Sequence, residues 1–361
     1  MLRNEDLEAA VKAGVITAEQ QVALEAQAGS RRAARPFVAG RDERFRFLRG
    51  FNDVFLTLGV VLVAGAFLTQ WSPAQNAGGL TLVAGAAVLW AISEVLVARH
   101  KAVLPGMAAV VCIGALCGIA GAQWATIHGF NAITSGAPGL DKMVRDYPFG
   151  VWLAAAGSGG FAVLLFYLRF RLPFALLPLG LGLMATVLLA LINTFGLATT
   201  KPMINGTALL LGLGAFALAM RYDASDPERL TRRSDCGFWL HLAAAPFIVH
   251  PVISMLAAGE TAGAALATIA VVLMLGVVAL AIDRRALLVS SLAYFGLAVG
   301  YLMRSSSGDI GSSLTLTLGL LGLFVILMGL GWHRLRGVLL SPFAGRSWLK
   351  KLPPVQKTIL A

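Results

Sequence analysis

Apolar residues come in long, nearly unbroken runs along this chain, separated by short polar or basic stretches. They do not follow the 3.6-residue or alternating pattern of a half-buried surface element. Ten runs stand out: 54–71, 78–98, 103–123, 149–168, 173–195, 203–220, 236–257, 262–282, 286–303 and 311–332. Each is near the roughly 20 residues a helix needs to cross a hydrocarbon core of about 30 Å. Hydrocarbon offers no partner to an unpaired N–H or C=O, so each run is predicted to be helical. The expected fold is all-α, a polytopic transmembrane helical bundle of about ten spans.

The stretches between the runs set its orientation. All but four of the 29 Lys and Arg residues lie before the first run, after the last, or beside alternate connections such as Arg99–Lys101, Arg169–Arg171, Arg229–Arg233 and Arg284–Arg285. The exceptions are Lys142, Arg145, Lys201 and Arg304. Basic residues are retained on the cytoplasmic side, so both termini are expected there. One missed or invented span would reverse every later connection and destroy the alternation.

Composition agrees with this class: 58% of residues are hydrophobic, 13% are charged, and mean hydropathy is +0.78. A net charge of +11 would otherwise suggest nucleic acid. Here the basic residues are spread over short segments on one side, where they set topology and meet anionic headgroups of the lipid bilayer. No nucleic-acid partner is expected. The first 28 residues are polar and acidic rather than a signal peptide, so the first span reads as uncleaved. The composition points to a bacterial inner (plasma) membrane.

Four regions follow: a helical hairpin at 1–28, a basic linker and interfacial segment at 29–52, a ten-span domain at 53–332, and a basic tail at 333–361. In the hairpin, Gly14 suits the left-handed residue that ends a first helix. Thr17 and Gln20 have the spacing of a capping box that starts a second. Two helices this short cannot stand alone, so residues 1–28 are expected to pack on a second copy or a protein partner. The alternating Arg and Phe of 44–51 read as a segment lying among headgroups. The connection 124–148 is the external segment large enough to cover a cavity mouth.

Ala13-Gly14-Val15-Ile16-Thr17 followed by Glu19-Gln20 resembles the helix, Gly-x-Ile-Thr turn, helix pattern of short bacterial oligomerisation modules. It also resembles the N-terminal segment of an uncharacterised family of bacterial multi-span membrane proteins, in which such a cytosolic hairpin precedes eight or more spans. The resemblance covers the hairpin and the general span layout. It implies self-association or partner binding and transfers no catalytic residues.

Polar groups inside spans are the candidates for function, because a charge at the bilayer centre costs roughly 2.5–3.5 kcal/mol on insertion scales. Glu94 lies near the basic end of the second run. It reads either as a cavity carboxylate or as the partner of a nearby arginine. His241, Pro246, His250 and Pro251 crowd the seventh run. Each proline frees a carbonyl one turn earlier, and broken helices of this kind bind ions or substrates in transporters. The two histidines fall on opposite faces of a straight helix. Hydrogen bonding to freed carbonyls or to neighbouring spans is the structural alternative for both. The acidic and basic residues of 221–235 read as a self-paired surface.

Cys112, Cys117 and Cys236 form no Cys-x-x-Cys pair, and no metal site or cofactor is indicated. Phosphate-loop, nucleophile-elbow and His-Glu-x-x-His patterns are absent, which leans against an enzyme. What remains is an integral membrane protein read first as a small-molecule secondary transporter or permease. The alternative is a non-catalytic scaffold or regulatory subunit that uses its hairpin for self-association or partner binding.

Overall fold

The computed structural model describes residues 11, 13–21, 51–70, 78–128, 149–195, 201–227, 229, 231–256, 261–307, 310–343, 345–347, 349 and 352–353. Among these there is no β-strand. The helices are α1 (Phe51–Thr69), α2 (Gly78–Ser93, continued by a π-helical segment Glu94–Arg99), α3 (Val103–Ile127) and α4 (Phe149–Phe170). A 3₁₀ turn, Pro173–Ala175, leads into α5 (Leu176–Phe195), followed by α6 (Lys201–Ala224) and α7 (Arg232–Leu256). The last are α8 (Ala262–Ile282), α9 (Ala286–Ser307) and α10 (Ile310–Leu340).

Nine helices in the described residues are long and apolar enough to cross a membrane, and α9 is the shorter apolar helix, over Leu287–Met303. The chain is therefore an integral membrane protein. Connections 100–102, 171–172, 225–231 and 283–285 mark an arginine-rich end of the bundle.

Contacts divide the chain into residues 1–42 with 355–361, and residues 43–354. In the first unit the structure describes Val11 and 13–21. Gly14 has φ +68°, the left-handed conformation that glycine adopts without a Cβ penalty. Thr17 N–H donates to Gln20 Oε1 at 2.9 Å, and Gln20 N–H donates to Thr17 Oγ1 at 3.2 Å. That reciprocal pair is a capping box. Val11 and residues 18–21 are helical; the rest of the helices expected around this turn, the linker, the Arg/Phe segment before Phe51, most of the 124–148 connection and the end of the tail lie outside the described residues.

In residues 43–354, α3 is the centre of the first half, where α1, α2 and α4 all pack on it. Their shared core includes Val60, Leu82, Leu89, Val110, Ile113 and Phe166. The α3–α4 contact is a seam of small residues. A Cβ on Gly159 would stand 2.7 Å from Gly114 O, and one on Gly121 would stand 2.7 Å from Ala154 O. Lipid tails are as apolar as leucine, so close backbone packing replaces the hydrophobic effect as the attraction between helices.

In the second half α7 is the hub, packing on α5, α6, α8 and α9. Two-thirds of its apolar window (67%) is buried, against 6% for α10. Pro246 and Pro251 are potential breaks by sequence, yet α7 is one uninterrupted helix. Pro251 frees the Phe247 carbonyl, and Gly212 of α6 lies so close that a Cβ there would sit 2.9 Å from that oxygen. Helix α10 continues past the predicted 332 to Leu340, and at 1.5 Å per residue its length is about 46 Å. The segment expected to start the tail is thus helix first.

Candidate functional site

Two arrangements of polar and unfilled space distinguish the halves. The first is a cavity of about 820 Å³ between α2, α3 and α4. Both α2 and α4 pack on α3, and the space between them is the groove, with α3 as its floor. The α2 wall is Gly79, Leu80, Val83, Ala86, Ala87 and Trp90, and the α4 wall is Ser158, Phe161, Ala162 and Leu165. Leu80 (74%) and Phe161 (62%) stand exposed on its rims, so the groove opens sideways out of the bundle.

Polarity within the groove is graded. Gln123, Trp124 and His128 line the end away from the arginine-rich side, with Ser158 deeper. Gln123 is buried, and its Oε1 lies over the bare backbone of Gly79. The His128 ring stacks on Trp124 with centroids 4.7 Å apart, and its Nδ1 lies 2.8 Å from Trp124 O. An Nδ1–H donating there leaves Nε2 as an acceptor in the neutral ring. Ser158 Oγ donates to Ala154 O at 2.7 Å and lies 2.8 Å from Cys117 O. Among the described lining residues there is no Asp, Glu, Lys or Arg.

At the arginine-rich end α2 and α4 are joined. Trp90 packs edge-on against Phe166, with centroids 5.7 Å apart, and against Phe170 at 5.5 Å. One turn further, Arg169 Nε and Nη2 donate to the two Glu94 carboxylate oxygens at 3.0 and 2.8 Å. Glu94 opens the π-helical segment, where His100 N–H reaches back five residues to Val95 O at 3.1 Å. Turns of this kind carry an extra residue and rotate the side chains beyond them. Glu94 lies outside the groove, beyond its aromatic end, in the ion pair that was the alternative reading of this residue.

The second arrangement is a buried charge network at the arginine-rich end of α6 to α10. Arg284, 2% exposed, donates Nε to Asp223 Oδ2 at 3.0 Å, Nη2 to Asp223 Oδ1, and Nη2 to Ser234 O at 3.0 Å. His241, fully buried, places Nε2 2.9 Å from Asp223 Oδ2. Gly237 makes room, since a Cβ there would strike the Asp223 carboxylate. Asp223 occupies the last turn of α6, where the helix dipole disfavours a carboxylate. Two donors from other elements offset that.

Alongside it, Asp283 adopts left-handed φ +57° as it ends α8. Its carboxylate takes Arg229 Nη1 at 3.0 Å and the Trp332 indole N–H at 2.7 Å. Arg336 of α10 donates to Leu280 O at 3.1 Å and Pro353 O at 2.6 Å. The network thereby ties α6, α7, the α8–α9 turn, α10 and the stretch after it.

The sequence candidates thus separate. His241 belongs to the buried network, whereas His250 is exposed and its Nδ1 pairs with the Tyr294 hydroxyl of α9 at 2.5 Å. Pro246 is exposed and Pro251 buried on α7. None of these, nor Glu94, lines the groove. Sequence reading passed over Asp223 and Arg284 because both sit at span ends, where charge is ordinary. The 221–235 segment read as surface holds Asp223 and Asp226 buried, at 4% and 8% exposure. Gln123 and Ser158 were missed as isolated neutral residues in apolar runs. Among the described residues, no group of three or more His, Cys, Asp and Glu could hold a metal ion.

Models of protein families, curated proteins and solved structures contain no match to this chain.

Proposed function

We propose that this integral membrane protein spans the bilayer ten times, with its arginine-rich end and both termini in the cytosol, and works as a small-molecule secondary transporter or permease for neutral cargo. The carrying observation is the groove between α2, α3 and α4, whose volume of about 820 Å³ lies within the 300–1,000 Å³ typical of ligand sites. The lack of charge among its described lining residues favours neutral cargo, because an unpaired buried charge is costly. The aromatic contact and the Glu94–Arg169 pair join the walls at the arginine-rich end, as a shut side of an alternating-access pathway would require.

Uptake by proteoliposomes offered mixed neutral metabolites, read by mass spectrometry, tests the transport reading. Accumulation above empty liposomes is expected, and equality with them defeats it. Orientation is tested by single cysteines in a cysteine-free background. An impermeant maleimide added to intact cells should label Lys142→Cys and spare Arg232→Cys; the reverse would overturn the topology.

A second reading, a scaffold or regulatory subunit, draws on the extensive tying of the second half and on the capped turn at 14–20. It expects residues 1–28 to recruit a second copy or a partner. Deleting them should then change oligomeric mass in detergent without affecting the melting of the bundle.

A further inference from the structure

The groove's shape and polarity also restrict what it can hold, if the permease reading on which this rests is right. From Gly79 to Trp90 the α2 wall rises about 16 Å at 1.5 Å per residue, and Val83, Ala86 and Ala87 keep it apolar throughout. Ile113, Cys117 and Ala120 on α3 and Phe161, Ala162 and Leu165 on α4 continue that surface. Side chains able to bond a polar head, Gln123 and His128, stand together at one end, beside the Trp124 indole. Trp90 closes the other end against Phe166 and Phe170.

We infer that the groove between α2, α3 and α4 binds a neutral single-chain amphiphile, with its uncharged head at Gln123 and His128 and its alkyl chain lying toward Trp90. An extended chain of about twelve carbons, with C–C bonds near 1.5 Å in zigzag, matches the 16 Å wall. A carboxylate or ammonium head has no countercharge among the described lining residues, and against these it would enter desolvated and unpaired. A hydroxyl or amide head exchanges hydrogen bonds with the Gln123 amide and His128 Nε2. The exposed rims at Leu80 and Phe161 let the chain enter from the bilayer.

The probe is a twelve-carbon primary alcohol bearing a diazirine, added to the full chain in lipid nanodiscs, irradiated and mapped by mass spectrometry. Labelling of Val83, Ala87 and Cys117 should exceed that of the exposed α10 residues Leu330 and Val338 by about tenfold. Ala87→Trp fills the groove from α2 and Ala162→Phe from α4. In whichever variant keeps the wild-type melting temperature, groove labelling should fall to the α10 level while α10 labelling stays constant. Labelling that is uniform over groove and α10, or unchanged in a folded groove-filled variant, overturns the site. Equal groove labelling by the corresponding fatty-acid probe, or labelling by a diazirine phospholipid alone, overturns the ligand class. Metabolite uptake measured in parallel separates the two readings. Labelling without uptake removes the permease and keeps the site; uptake by the unmodified chain without groove labelling removes the site and keeps the permease.

Discussion

The two halves of this bundle solve one problem by different physics. Between apolar helices in lipid there is little hydrophobic attraction, so contact must come from close packing or from polar bonds. The half from α1 to α5 uses packing, with bare glycine backbones on α3 and α4 and aromatic rings between α2 and α4. The half from α6 to α10 uses charge: Asp223 and Asp283 receive Arg284, Arg229, His241 and Trp332 from separate elements. Dispersion contacts are individually worth about 0.1–0.2 kcal/mol and become large only when many are summed. A buried ion pair gives way only by exposing a charge to an apolar interior, at several kcal/mol. The groove lies in the half held by packing, and the network in the half held by buried charge.

The contrast is broken most strongly at Asp223. Asp223→Ala strands Arg284 and should cost about 3–5 kcal/mol, seen as a large fall in detergent melting temperature. Replacing both partners by apolar residues of similar volume should recover most of that loss; a single variant that melts like wild type would show the pair to be dispensable. A smaller effect is expected at the packed seam. Gly121→Val sets a side chain against the Ala154 carbonyl, and overpacking of this kind costs about 1–3 kcal/mol. An unchanged melting temperature would mean that α3 and α4 are not in close contact. Smallest is Glu94→Gln, because its pair with Arg169 is part exposed, at 35% and 55%. Exposed pairs contribute roughly 0–1 kcal/mol, so melting should barely move. If Glu94→Gln matches Asp223→Ala in cost, the division between the halves fails.

How much could be read beforehand varied by residue. The Gly14 turn and the Thr17–Gln20 capping box were legible because they depend on residues three apart in one chain segment. Helix positions were legible because apolar length alone dictates them in lipid. Glu94 left two readings open, since its partner Arg169 lies 75 residues away. Asp223 looked like a surface acid until Arg284, 61 residues on, was seen against it. Pro246 and Pro251 invited a broken helix, yet α7 stays whole, with Gly212 of a neighbouring helix packed at the Phe247 carbonyl.

Sequence by itself determined that this chain is a helical membrane protein, because bilayer thickness and backbone hydrogen bonding act on each segment separately. Tertiary structure alone decided which charges are buried, that α2 and α4 stand apart over α3, and that Gln123 and His128 share one end of the resulting groove. Those are distances between segments far apart in the chain, and hydropathy carries no record of them.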